Sequence, residues 1–440
     1  MSSYVRKKTP GDTSWFVHDR FGMFIHFGLY SLPARHEWIK TREYISEEKY
    51  RSYFNHFNPD LFDAREWAKK AKAAGMKYAI LTTKHHEGFC LFDTKYTDYN
   101  VMNTPYGKDI VKEFVDAFRA EGIRIGFYYS LIDWHHPHFP IDKAHPRRKD
   151  ANAEELDRGR DMKKYAQYMR DQVTELLTNY GKIDILYFDF SYPANPNAPA
   201  WMQFGGAKGK EQWESEKLIA LIRSLAPDII LNDRTQIPQD ICTPEQEISP
   251  KMMNLVDKET GEALTWEACH TFSGSWGYYR DETSWKTPKT LIDLLVRTVA
   301  SGGNMIMNVG PTSRGDFDDR ADEALQVYAN WMKRNSRSIY GCDRADSEFG
   351  VGEGAYLTQS ADGKRLYVHL LDCPHASVKL TGLDGKIDYA QLLSDGSELT
   401  WRENFAYYDS AGNYLGSYLT VDLPGTVFKM IDPVIEIFLK

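Results

Sequence analysis

Short apolar runs alternate with longer segments of helical period from about residue 20 to 340, which predicts βαβ units around a parallel sheet. The strand-like runs are 22–27, 78–83, 124–130, 184–190, 228–232, a weaker one at 241–243, 264–268 and 304–309. Helical periodicity falls between them at 64–74, 109–120, 155–180, 212–225 and 288–300, with 319–335 after the last strand. Gly75, Gly122, Gly181 and Gly302 follow four of these helices as stop signals. Eight strands fit a closed (β/α)8-like barrel, an α/β fold of TIM-barrel type. The links from helix to strand are tight, whereas 31–59, 135–150 and 191–210 after strands are long, as suits the face on which a barrel carries its active site.

Past Gly341 the pattern changes to brief runs at 356–359, 366–371, 378–380, 388–392, 427–430 and 434–438. Asp-Gly pairs at 362–363, 384–385 and 395–396 and an Ala-Gly pair at 411–412 supply the turns. The reading is a barrel over 1–343 followed by an antiparallel β-sandwich over 344–440.

Charge narrows the partners. Lys and Arg number 54 against 62 Asp and Glu, a net charge of −8 with no block of like charge, which argues against nucleic acid and anionic membranes. The first residues are basic but hold no apolar h-region, and no run approaches about 18 apolar residues, so a soluble, cytoplasmic protein is the expectation. Five cysteines (Cys90, Cys242, Cys269, Cys342, Cys373) without C-x-x-C spacing indicate neither a disulfide framework nor a zinc knuckle. Aromatic residues make up 14% of the chain, and many sit in loop-like segments where they suit either the apolar face of a sugar or a protein interface.

Polar residues collect at the ends of successive strands: His26, Lys84-His85-His86-Glu87, Tyr129 with Asp133-Trp134, Asp189, and Asn232-Asp233-Arg234. A barrel brings such positions into one pocket. Asp189 closes an otherwise apolar strand, so its carboxylate must cap, pair or do chemistry. His85 and His86, as neighbours on an extended strand, point to opposite faces and cannot share a metal ion without a bulge; donors to a polyhydroxyl ligand fit better. Two carboxylates in a pocket rich in His, Trp and Tyr point to glycoside hydrolysis, one attacking the anomeric carbon and the other protonating the leaving oxygen. Asp189 is the candidate nucleophile; Glu245, Glu247 and Glu267 are the candidate acids.

These residues resemble the α-L-fucosidases of glycoside hydrolase family 29, through 15–28, His36-Glu37-Trp38, 82–88, 126–130, 187–189, 232–234, 275–278 and 302–311. The resemblance implies an exo-acting retaining hydrolase of terminal α-L-fucosyl residues on glycans or glycosides, with no cofactor and no metal, so that chelation leaves turnover intact. It places His26, Glu37, Trp38, His85, His86, Tyr129 and Arg234 around the fucose ring, with Arg234 favouring the ionised form of Asp189 and Trp38 near the C6 methyl. It favours Glu245 as acid/base, with Glu247 and then Glu267 as fallbacks. Retention requires the two carboxyl groups about 5 to 5.5 Å apart. Tyr187 and Phe188 stand where many members have Trp or Asn, which bears on fine specificity. Two other readings of the same residues are a barrel that binds fucose without turnover and a metal-dependent hydrolase built on His26, His85 and His86. Linkage and aglycone rest on the long loops, and loop 191–210 suits either a leaving-group subsite or a subunit contact in a homo-oligomer. The sandwich fits a structural support or a carbohydrate binder.

Overall fold

The computed structural model describes residues 5–192, 208–248, 255–372, 376–403, 407–408, 410–412 and 414–440. Most of loop 191–210, and Cys373, therefore lie outside the described residues.

Seven parallel strands form one curled sheet: β1 (Phe21–Ile25), β2 (Tyr78–Lys84), β3 (Arg124–Ser130), β4 (Ile185–Asp189), β5 (Ile230–Leu231), β6 (Glu267–Thr271) and β7 (Asn304–Val309). Their spatial order is β5-β4-β3-β2-β1-β7-β6. The weak run at 241–243 forms no strand of its own. It closes the gap between β5 and β6 through single parallel bridges, Asn232 to Ile241, Cys242 to Trp266 and Glu245 to Cys269. Proline at 244 and the short β5 leave too few paired groups for a ladder, yet Ile241 still joins the barrel lumen beside Phe24, Tyr78, Ile80, Tyr128, Ile185, Tyr187, Ile230, Cys269 and Ile306. The sheet is an irregular (β/α)8-like barrel with a bridged eighth stave.

The inward side chains follow the period of two. Ser130 pairs with Asp189 and Tyr128 with Tyr187 across β3 and β4, so Tyr128, Tyr187 and Asp189 share the inner face. Tyr129 and Phe188 belong to the outer layer with the helices. The helices Ala64–Ala73, Ile110–Ala120 and Met162–Thr178 begin on Asp63, Asp109 and Asp161, whose carboxylates accept backbone N–H bonds of the first turn. The expected helix 155–180 is two, Ala153–Asp157 and Met162–Thr178, parted at Gly159 with φ 85°. Strand 264–268 sits three residues later than its apolar pattern suggests, at Glu267–Thr271, with consequences for Glu267 given below.

The C-terminal region is a five-stranded sheet packed with a four-stranded one, both antiparallel. The run 427–430 is a 3-10 turn, Gly425–Lys429, instead of a strand: Val427 is buried and Phe428 exposed, and the Met430 N–H closes back on the Val427 carbonyl. Arg20 ties the two regions together, with Nε donating to the Cys342 carbonyl at 2.8 Å and the guanidinium paired with Asp343. On the same junction Trp331 Nε1 donates to the Asp432 carbonyl. Among the described residues no helix is long and apolar enough to cross a membrane.

Candidate active site

A cavity of about 1020 Å³ opens at the C-terminal ends of the barrel strands. Asp189 ends β4 on its wall. One carboxylate oxygen accepts from Arg234 Nη1 at 2.6 Å and the other from the Tyr128 hydroxyl at 2.9 Å. Behind it the Asn232 amide clamps the Phe188 backbone in both directions, accepting from its N–H at 2.9 Å and donating to its C=O at 2.8 Å. Phe190, the residue after Asp189, has φ 76° without being glycine. Such a conformation costs on the order of 1–3 kcal/mol, offset here by ring contacts with Trp38 and His86. The chain thus turns sharply just past the carboxylate and lays Phe190 along the cavity.

Arg234 serves a second carboxylate. Its Nε and Nη2 are fixed by Thr243, and Nη2 lies 3.5 Å from Glu245 Oε2. Burial and the Asp189 charge raise the Glu245 pKa above the usual carboxylate value, more than Arg234 lowers it. Its side chain remains 46% exposed at the cavity mouth. A carboxyl group whose pKa is raised, which faces solvent and stands beside an arginine-bound carboxylate, is what an acid/base partner requires.

Three imidazoles line the floor. His26 Nδ1 is 2.6 Å from Asn308 Oδ1, and the Asn308 NH2 is spent on the Trp276 carbonyl, so His26 carries its proton on Nδ1. Burial and the neighbouring His85 push its pKa down to about 3. His86 Nδ1 meets Ser130 Oγ at 2.7 Å while that hydroxyl donates to the Ile132 carbonyl, which again puts the proton on Nδ1. Burial is the main cause that holds His86 neutral as well. Both rings therefore keep Nε2 as an acceptor at the cavity, where the sequence led one to expect donors, and that of His86 lies 4.0 Å from Asp189 Oδ2.

Glu37 is buried, which alone would raise its pKa; contact with His36 and the Gly277 N–H at 2.8 Å outweigh that and hold it down to about 2. Trp38 stacks edge-on against His86 and Trp134. Cys269 also lines the wall, but burial pushes its thiol up to about 12, so it is no nucleophile.

His26, Glu37, Trp38, His85, His86, Asp189, Arg234, Glu245 and Glu247 all meet at this cavity. Two candidates do not. Tyr129 points outward, where its hydroxyl donates to Gln172 at 2.8 Å under the Lys84 ammonium; Tyr128, one residue earlier, holds the inward position. Glu267 opens β6 at the opposite end of the barrel, accepting from the Tyr78 hydroxyl, because its strand begins three residues later than expected. The histidine pair also departs from expectation. The β2–β3 register shifts between Thr82 and Lys84, and a tight turn follows in which the Gly88 N–H returns to the His85 carbonyl, so both rings face the cavity with centroids 4.0 Å apart. Even so, among the described residues no group of three His, Cys, Asp or Glu is disposed to hold a metal ion. Sequence reasoning missed Tyr128 and gave no role to Trp276, whose ring lies 5.2 Å from that of His26.

The sequence model of the alpha-L-fucosidase family matches residues 3–337. The chain belongs to the α-L-fucosidase family. Plasma alpha-L-fucosidase of Homo sapiens is 29% identical over 427 residues, covering 88% of this chain and 83% of the human one. Alpha-L-fucosidase of Dictyostelium discoideum is 28% identical over 397 residues, 83% of this chain and 79% of its own. Among solved structures, alpha-L-fucosidase isoenzyme 1 from Paenibacillus thiaminolyticus has a TM-score of 0.85 at 42% identity, covering 97% of this chain and 98% of that one. A GH29 alpha-L-fucosidase from Bacteroides thetaiotaomicron, trapped as a covalent intermediate with 2-fluoro-fucosyl fluoride, has a TM-score of 0.77 at 26% identity over 100% and 99% of the two chains. As an α-L-fucosidase the chain is a glycoside hydrolase, and its fold is the family's (β/α)8-like barrel with a C-terminal β-sandwich.

Proposed function

We propose that this fucosidase releases terminal α-L-fucose with retention of configuration, Asp189 acting as nucleophile and Glu245 as acid/base. The observation that carries the proposal is the Arg234 guanidinium, which binds Asp189 through Nη1 and faces Glu245 through Nη2. In the first step an Asp189 oxygen forms a bond to the anomeric carbon as the glycosidic C–O bond breaks, and the Glu245 proton passes to the departing oxygen. A fucosyl ester results. Esterification removes the Asp189 charge, one of the causes that raise the Glu245 pKa, so Glu245 is left in its carboxylate form at the step that needs a base. It then takes a proton from water, whose oxygen bonds to the anomeric carbon as the ester C–O bond breaks. Two inversions give net retention.

His26, His85, His86 and Glu37 serve the sugar hydroxyls in this reading, and Trp38 with Phe190 offers an apolar wall to the C6 methyl. A fucosylated oligosaccharide or glycoside is the partner. The test is hydrolysis of an aryl α-L-fucoside followed by proton NMR: α-L-fucose as the first anomer formed supports the proposal, and β-L-fucose first, or no turnover, refutes it.

A further inference from the structure

A buried acid that this reaction does not use lies behind the cavity floor. Glu87 belongs to the turn after β2, is 1% exposed, and has no hydrogen-bond partner among the described residues at either carboxylate oxygen. Gly28 presses on it so closely that a Cβ there would stand 2.9 Å from Oε1. Tyr30, Tyr50 and Tyr99 surround it, and burial, with the Glu87 charge adding, raises all three phenols well above their usual value. The buried Tyr50 hydroxyl has no hydrogen-bond partner among the described residues. An unsatisfied carboxylate in such a place is costly.

What the acid does face is a cavity residue. Glu87 Oε2 lies 3.4 Å from His85 Nδ1, a nitrogen that is itself buried and, among the described residues, without a hydrogen bond, while the His85 ring forms part of the cavity wall. The contact is longer than a closed hydrogen bond.

We propose that Glu87 is a positioning residue that fixes the proton of His85 on Nδ1, so that Nε2 faces the fucosyl ring as an acceptor. The inference rests on the assignment of the cavity to that ring. His26 and His86 are set in the same state by neutral oxygens, Asn308 Oδ1 and Ser130 Oγ. His85 alone of the three is set by a carboxylate, which makes its Nε2 the strongest acceptor of the set, since an anionic partner raises the basicity of the far ring nitrogen. Glu87→Gln keeps the shape but can present either its amide oxygen or its N–H to Nδ1, so the ring proton is no longer confined to Nδ1 and Nε2 becomes a donor for part of the time.

The experiment combines long-range nitrogen-proton NMR of the His85 ring in the ligand-free full chain with kinetics on an aryl α-L-fucoside, for wild type and Glu87→Gln. Wild type is expected to carry the proton on Nδ1 alone. The variant is expected to share it between Nδ1 and Nε2, with KM about tenfold higher, kcat within about threefold, and a Tm equal to or above that of wild type, because a buried charge is removed. A purely structural role would lower Tm and leave the ring state and KM as they were, and that result overturns the proposal. A proton on Nε2 in the wild type overturns it as well, and decides the matter alone if the variant does not fold. Absence of wild-type turnover refutes the fucosidase assignment instead, and the ring state of His85 remains measurable.

Discussion

Tyr128 donates its hydroxyl to Asp189 Oδ2 at 2.9 Å from the adjacent strand, one of two fixed donors on that carboxylate. A hydrogen bond to a charged group is worth about 1.5–3 kcal/mol. Tyr128→Phe is therefore expected to lower kcat by about 10- to 100-fold. Tyr129→Phe loses only a buried bond to Gln172, so it should cost about 1 kcal/mol of stability and leave kcat/KM nearly unchanged. Steady-state kinetics and thermal melts of the two variants, one residue apart, check the inward and outward assignment.

That parity was hidden in the sequence for a physical reason. β3 is covered on both faces, so Arg-Ile-Gly-Phe-Tyr-Tyr-Ser shows no alternation of apolar and polar residues to say which tyrosine faces the lumen. β3 and β7 could be bounded to the residue because long apolar runs end at clear punctuation. Asp189 was legible because a carboxylate closing such a run must be accounted for, and the Arg234 beside it belongs to the next strand end. That His85 and His86 face the same way could not be read from strand alternation, because a register shift at Lys84 leaves no trace in composition. The three-residue slide of β6 turned Glu267 from a candidate at the active face into a buried group at the other end.

Glu245 and Glu247 both reach the cavity, but only Glu245 stands beside Arg234. Glu245→Gln should slow hydrolysis of fucosides with poor leaving groups by about 10²–10⁴-fold and affect activated aryl fucosides much less, because those depart without a proton. With the raised Glu245 pKa, wild-type activity should fall as pH rises through that group, and the basic limb should vanish in the variant. Glu247→Gln should retain both the basic limb and the leaving-group dependence of wild type. Rates for a series of leaving groups across pH distinguish them.

Burial raises the Glu267 pKa to about 8 from the usual carboxylate value. The folded chain then keeps a proton that the unfolded chain has released between about pH 4.5 and 8, so this group's contribution to stability is present at low pH and is lost as pH rises through that window. The loss amounts to a few kcal/mol, on the order of the shift at 1.36 kcal/mol per unit. Glu267→Gln can still accept from Tyr78 and has no charge to release. Its Tm should match that of wild type near pH 5 and exceed it at pH 8, which thermal melts at the two values check.

The most direct measurement is covalent trapping. The protein is treated with 2-fluoro-fucosyl fluoride, whose fluorine slows breakdown of the ester, and the modified peptide is sequenced by mass spectrometry beside an Asp189→Asn control. One fucosyl group per chain on Asp189, absent from the control, is the result expected. An adduct on any other residue, or none in a protein that hydrolyses aryl α-L-fucosides, would contradict the nucleophile and the double-displacement route together.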